Sequence, residues 1–178
     1  KTYLIGEQEA ADVVNSVRAL RNFEPSQAGK RWIVWGHSQG GHSALWTGKL
    51  AEKIAPELDL IAVGAAAPAA ELMVIMQNQW NGTIGWVIGP EALVSFKDRY
   101  PDRDFDAIIS DLGKRQLDKL LSECTTPAAL QGAAYEKFGG QFFKSSPVDS
   151  PAWAQTGLAQ TPQPLPASMP LFMSEGTA

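Results

Sequence analysis

The sequence predicts an α/β protein: a mainly parallel sheet flanked by helices and broken by a large helical insertion. Three observations predict it. Helix-like and strand-like segments alternate with short links across residues 7–68, the order that right-handed β-α-β units produce. The first strand segment is short and bulky on both faces, as in parallel sheets covered by helices on both sides. A last strand-like run, near the C-terminus, comes only after roughly a hundred residues of mostly helical texture, far more than an ordinary strand connection.

The elements follow in order. "EQEAADVVNSVRALRN" (7–22) is an amphipathic helix, with Val13, Val14, Val17 and Leu20 on one face. Glu7 and Glu9 sit in its first turn and Arg18 and Arg21 near its end, as the helix dipole favours. "EPSQAGKR" is a loop. "WIVW" (32–35) is a strand expected to be buried on both sides. Residues 40–55 form a helix with Ala44, Leu45, Leu50 and Ile54 among its apolar positions, stopped by Pro56. "LDLIAVGAAAP" (58–68) is a second buried strand.

After Pro68 the texture changes. Residues 69–80 and 86–98 read as helices rich in Met, Ile, Val and Trp. Residues 111–124 form another, with Leu112, Leu117, Leu120 and Leu121 on one face. "TTPAALQGAAYEKFGGQFFKSSP" is helical only in pieces, and "TPQPLPASMP" (161–170) is a proline-dense linker. "PLFMSEGTA" resumes the pattern of a core strand running out into a loop. The expected division is 1–68 for the core with its sharp bend, 69–165 for the helical insertion, and 166–178 for the returning strand. No internal repeat is visible.

Composition narrows the function classes. The 178 residues are 44% hydrophobic and 19% charged, which suits a packed domain rather than a disordered chain. The formal net charge is −4 with no basic run, which argues against a nucleic-acid partner. No apolar stretch is long enough to span a bilayer. No signal peptide is visible, and an opening without a Met fits a processed or truncated protein as well as a cytosolic one. One Cys and two His without ligand spacing do not make a usual zinc site. Cys124 reads either as an idle thiol or as half a disulfide whose partner lies outside this sequence.

The chemistry concentrates in "RWIVWGHSQGGHSALW" (31–46). Gly36-His37-Ser38-Gln39-Gly40 matches G-x-S-x-G at a junction of strand and helix, the setting of a nucleophile elbow. A serine there stands on a tight, strained turn. Side chains two residues before and two after are expected to collide with that turn, and glycine removes both collisions. The serine hydroxyl then projects clear of the sheet, beside free N–H groups at the start of the following helix, where a carbonyl oxygen becomes an anion. Ser38 is the candidate nucleophile and the Gln39 N–H the candidate oxyanion donor. Gly36, His37 and Gly40 support the bend. Gly41, Ala44 and Gly48 recur along one side of the helix, where small residues would let it lie close to the sheet.

An activated serine needs a His base and an orienting carboxylate. Only His37 and His42 exist. His37 lies within the bend, with its ring expected to point away into packing. His42 lies in the first helical turn, where side chains diverge from the tip. Both read as supports. Asp102, Asp104, Asp106 and Asp149 fall in the insertion and read as solvated loop residues. Glu175 ends the last strand and could stand in for the acid. The remaining strands, the acid and the His are therefore expected outside this sequence.

"YLIGEQEAADVVNSVRAL", "WGHSQGGHSALW", "AVGAAAPAAEL" and "MPLFMSEGTA", in this order and spacing, resemble the secretory lipases of fungi and actinobacteria, a branch of the α/β-hydrolases. The similarity runs from residue 3 to about 75 and resumes at about 165. The resemblance implies a secreted ester or lipid hydrolase with Ser38 as nucleophile and Gln39 N–H as oxyanion donor. It implies that the insertion is a cap over the acyl pocket, and that an Asp follows Ala178 with the His later still. It also lets Cys124 pair with a cysteine beyond either end. Trp80, Trp86, Phe96, Phe142, Phe143 and Trp153 would either line that pocket or form the cap's own core. Such hydrolysis needs no metal or organic cofactor. The partners implied are a small ester or lipid, a transient lipid interface and the remainder of the polypeptide. Two readings stand beside this one: a non-catalytic module of the same fold, and a peptidase, thioesterase or acyltransferase using the same bend.

Overall fold

The computed structural model describes residues 2–176. Thr177 and Ala178, the end of the expected returning segment, lie outside the described residues, as does the position after Ala178 where the Asp is expected. The chain forms two compact units.

The first unit comprises Thr2–Ala70 and the segment beginning at Pro162. Its order is α1 (Gly6–Asn22), β1 (Arg31–His37), α2 (Gln39–Ile54), β2 (Asp59–Ala66) and, after the excursion, β3 (Leu171–Ser174). The three strands form one parallel sheet in the order β1-β2-β3. His37 pairs with Ala66 and Ala66 with Ser174, so the strands end in line at the carboxyl edge. Val34, Ala44, Leu45, Val63 and Ala65 make the core, with Val13 and Leu165 packed against it. Complete burial of a Val or Leu side chain contributes roughly 1.5–3 kcal/mol. Gly48 sets the fit of α2 on β2, because a Cβ there would stand 2.7 Å from Val63 Cγ2.

Two expectations are corrected in this unit. Among the described residues β1 is covered on one face only: Val34 and Gly36 are buried, whereas Ile33 and Trp35 are 63% and 65% exposed. The reason is that α1 and α2 stack together over the same face of the sheet. Leu20 does not join the buried stripe of α1 but is exposed, while Glu9 does join it.

The second unit, Glu71–Thr161, is helical. It contains α3 (Leu72–Gln79), α4 (Thr83–Arg99), α5 (Asp111–Ser122), α6 (Thr125–Lys137) and α7 (Pro151–Gln160). α4 starts a little before the expected position and carries Pro90 within it. α5 starts where the Ser110 hydroxyl accepts the Gly113 N–H at 2.9 Å, a side-chain N-cap. α6 is one continuous helix rather than pieces, and α7 was not expected. The core is aromatic. Trp86, Phe96, Phe105, Phe142, Phe143 and Trp153 are buried. Trp153 meets Phe105 and Phe143 edge to face at 5.6 and 5.1 Å, the geometry that ring quadrupoles favour. Trp86, Phe96, Phe142, Phe143 and Trp153 thus build the interior of their own unit.

Candidate active site

The bend between β1 and α2 is built from its backbone. Ser38 lies between the last residue of β1 and the first of α2, at φ 55° and ψ −118°. Positive φ in a non-glycine residue costs of order 1–3 kcal/mol and persists only where the surroundings hold it. Here they hold it from three directions: Ser38 N–H donates to Ala66 O at 3.0 Å, and Ser38 O accepts from Ala69 N–H at 3.0 Å and His42 N–H at 3.2 Å. One of these bonds goes to the end of β2, one to the loop after it and one to the helix. Ser38 is exposed, and its side chain caps no helical N–H. Gln39, Gly40 and Gly41 open α2, and the first N–H groups of a helix have no intrahelical acceptor.

The glycines divide their work differently from expectation. A Cβ on Gly36 would lie 2.0 Å from Gly40 O and 2.8 Å from Gly41 N, so that position admits no side chain. A Cβ on Gly40 would meet nothing within 4 Å. The second close approach is at Gly41, where a Cβ would come within 2.8 Å of Pro68. At the bend it is the Gly40 carbonyl that crowds Gly36, while the Gly40 Cα faces open space. His37 is exposed rather than packed.

His42 is fully buried, with both ring nitrogens engaged. Trp46 Nε1 lies 3.1 Å from His42 Nε2. An indole nitrogen only donates, so Nε2 accepts and Nδ1 carries the proton. That proton goes to Glu9 Oε2 at 2.6 Å. With Nε2 already occupied and no access to solvent, His42 has no free nitrogen for a serine hydroxyl.

Glu9 is the residue that sequence reasoning missed. It is 5% exposed, yet it accepts four hydrogen bonds. Oε1 takes the Leu4 N–H at 2.9 Å and the Gln39 side-chain amide; Oε2 takes His42 Nδ1 and, at 2.9 Å, the Ser43 hydroxyl. Burial alone would raise its pKa, but the bonds from His42, Gln39 and Ser43 outweigh this and hold it below the ordinary carboxylate value. A signal was present: Glu9 stands four residues before Val13 and eight before Val17, on the same helical stripe.

The other candidates lie elsewhere. Glu175 is exposed just past β3. β2 separates β3 from β1, which places the two chain positions about 10 Å apart at strand spacing. Asp104 accepts the N–H groups of Asp106 and Ala107 at 3.1 Å each, and Asp106 pairs with Lys97 at 2.7 Å. These are loop and surface roles, and Asp149 is exposed. Cys124 is exposed at the start of α6.

Residues 1–149 match the family described as Secretory lipase. Lipase 6 of Candida albicans is 25% identical over 146 residues, which is 78% of this chain and 31% of that protein. Among solved structures, lipase A of Candida antarctica superposes with a TM-score of 0.68 at 18% identity, over 97% of this chain and 42% of its own. The rice cell-wall-degrading esterase LipA of Xanthomonas oryzae superposes with a TM-score of 0.77 at 18% identity, over 98% of this chain and 51% of its own. The fold shared with them is that of the α/β-hydrolases. The chain spans 31% of the length of the curated relative and about half that of the two solved structures.

Proposed function

Since this chain belongs to the secretory lipase family, we propose that the polypeptide carrying it is a secreted hydrolase of carboxylic esters, lipids among them, that acts through an acyl-enzyme on Ser38. The observation that carries the reading is the exposed Ser38 at φ 55°, set between a parallel strand and a helix N-terminus within G-x-S-x-G. Ser38 Oγ attacks the ester carbonyl carbon while a base takes its proton. The carbonyl oxygen becomes an anion beside the Gln39 N–H. A single donor of this kind supports about 3 kcal/mol of transition-state stabilisation. Collapse breaks the bond to the alcohol, which leaves with the proton from the base. Water then attacks the acyl-serine carbonyl and gives its proton to the same base; the new tetrahedral intermediate breaks its bond to Ser38 Oγ, which takes that proton back, and the acid departs.

His42 is engaged on both nitrogens, and His37 makes no hydrogen bond to Ser38. The reading therefore assigns the catalytic His and its carboxylate to sequence outside residues 1–178. The carboxyl edge beyond β3 is the side from which the carboxylate comes, one strand removed from the bend. Segments 1–68 and 166–178 serve as catalytic core and 69–165 as cap.

The test uses the natural polypeptide with its native flanks and a series of p-nitrophenyl esters of increasing acyl length. Ser38→Ala should lower kcat/KM by at least about 10⁴-fold. Turnover that survives the substitution, or none in the wild type on any ester, overturns the reading. Activity on amides or thioesters in preference to esters overturns its substrate class.

A further inference from the structure

We infer that Glu9 is a positioning residue for the reaction at Ser38: from helix α1 its carboxylate clamps the first turn of α2 and fixes the direction of the Gln39 N–H. The inference rests on the preceding reading of Ser38 as nucleophile and Gln39 N–H as oxyanion donor. Three of the four groups that donate to Glu9 are Gln39, His42 and Ser43. They stand at i, i+3 and i+4, on one face of the turn that opens at the bend. One buried carboxylate therefore reaches the side chain of the residue whose amide is to meet the oxyanion, and the two residues one turn later.

The peptide between Ser38 and Gln39 is held from both ends. On the sheet side, Ser38 N–H is fixed to Ala66 O. On the helix side, the Gln39 side chain is fixed through its Nε2, which donates to Glu9 Oε1 and also to Ser43 Oγ at 3.3 Å. Glu9 is itself fixed. Its Oε1 accepts from Leu4, which has φ 55° and is 4% exposed. Its Oε2 holds His42, whose far nitrogen is closed by Trp46. An oxyanion donor acts by being in place before charge develops, and misplacement by about 1 Å can cost 10²-fold in rate. A carboxylate close to a site of developing negative charge repels that charge. Its effect on rate therefore separates two roles: positioning predicts a loss when the carboxylate is neutralised, and the bare field predicts a gain.

Glu9→Gln is the decisive variant. It keeps the shape but presents an NH₂ where one oxygen accepted two donors. The natural polypeptide is assayed on p-nitrophenyl butyrate, with active sites counted by a fluorophosphonate that phosphonylates the serine. Per titrated site, kcat should fall about tenfold or more while KM stays within about twofold. Affinity for an alkyl trifluoromethyl ketone, whose serine adduct is an oxyanion, should weaken by the same factor. A purely structural role would lower the melting temperature and the titratable fraction and leave kcat per site and ketone affinity unchanged; that result overturns the inference, as does a raised kcat. If Glu9→Gln yields no titratable protein, Gln39→Leu decides. It removes the side-chain amide's links to Glu9 and Ser43 and keeps the backbone N–H, and a several-fold loss of kcat per site supports the inference while an unchanged value overturns it. Ser38→Ala separates the levels. Its inactivity beside unchanged Glu9→Gln kinetics overturns this inference alone, whereas its retained activity removes the nucleophile and the inference together.

Discussion

At the scale of single residues, the bend puts two positions of identical composition under different constraint. Gly36 and Gly40 both match the motif, but only Gly36 lacks room, with Gly40 O at 2.0 Å from its would-be Cβ. That neighbour is backbone at the start of a helix and cannot swing aside. Gly36→Ala should therefore destabilise the fold by about 3 kcal/mol, at the upper end of overpacking, and distort the Ser38 bend. Gly40→Ala meets nothing within 4 Å and gains helix propensity, so its stability should stay within about 1 kcal/mol of wild type. Urea unfolding of the two variants checks the contrast, and equal losses would show that the motif's second glycine is also sterically required. The motif itself was legible because all of its parts are within five residues. Glu9 was not legible as a partner of the bend, because its donors on α2 are 30 to 34 residues away in sequence and only the fold brings them together.

Among the elements, α1 and α2 are joined by charge as well as by apolar packing. Arg18 on α1 donates to Ile54 O at the end of α2 at 2.9 Å and pairs with the exposed Glu57 at 2.7 Å. Glu9 clamps the other end. The group raises a pH dependence whose sign follows from linkage. The folded Glu9 carboxyl titrates below its ordinary value of 4.5, so the unfolded chain binds its proton first as pH falls. The stabilisation is complete above 4.5 and is lost as pH drops through the folded value. Among the described residues, His42 is the titratable group facing Glu9, and Glu9→Gln retains it. The difference in urea midpoint between wild type and Glu9→Gln should shrink as pH is lowered through and below 4.5; a constant difference would remove the carboxylate's charge from the account. Of the helices read in advance, α1 and α5 show their apolar residues at helical spacing most plainly. α6 and α7 escaped because their apolar residues do not gather on one face and both carry Gly and Pro, signals that locally argue for loop. Tertiary packing overrides them: Gly132 in α6 lies against Trp86, and Gly157 in α7 against the Met73 and Met76 sulfurs.

For the molecule as a whole, the parallel sheet was legible from the order of its elements, whereas the coverage of its faces was not. Bulky residues on both sides of β1 predicted two covered faces, yet one face shows Ile33, Trp35 and Phe172 to solvent. A strand sequence records which side chains it carries and not which elements lie over them. The helical unit obeys the opposite logic: a contiguous segment, Glu71–Thr161, closes its own aromatic core. Trp153 is central to it, 2% exposed and in ring contact with Phe96, Phe105 and Phe143, with its indole N–H donated to Phe105 O at 3.1 Å. A segment with its own core should fold when cut free, although a unit this small is only marginally stable. Residues 71–161 expressed alone should give near-UV circular dichroism from the packed tryptophans and lose it in one cooperative thermal transition. Trp153→Ala, which removes about 3–5 kcal/mol, should abolish that transition and leave a helical but loosely packed state that binds hydrophobic dye. Retention of a sharp transition by this variant would mean that the aromatic cluster is not what holds the unit together.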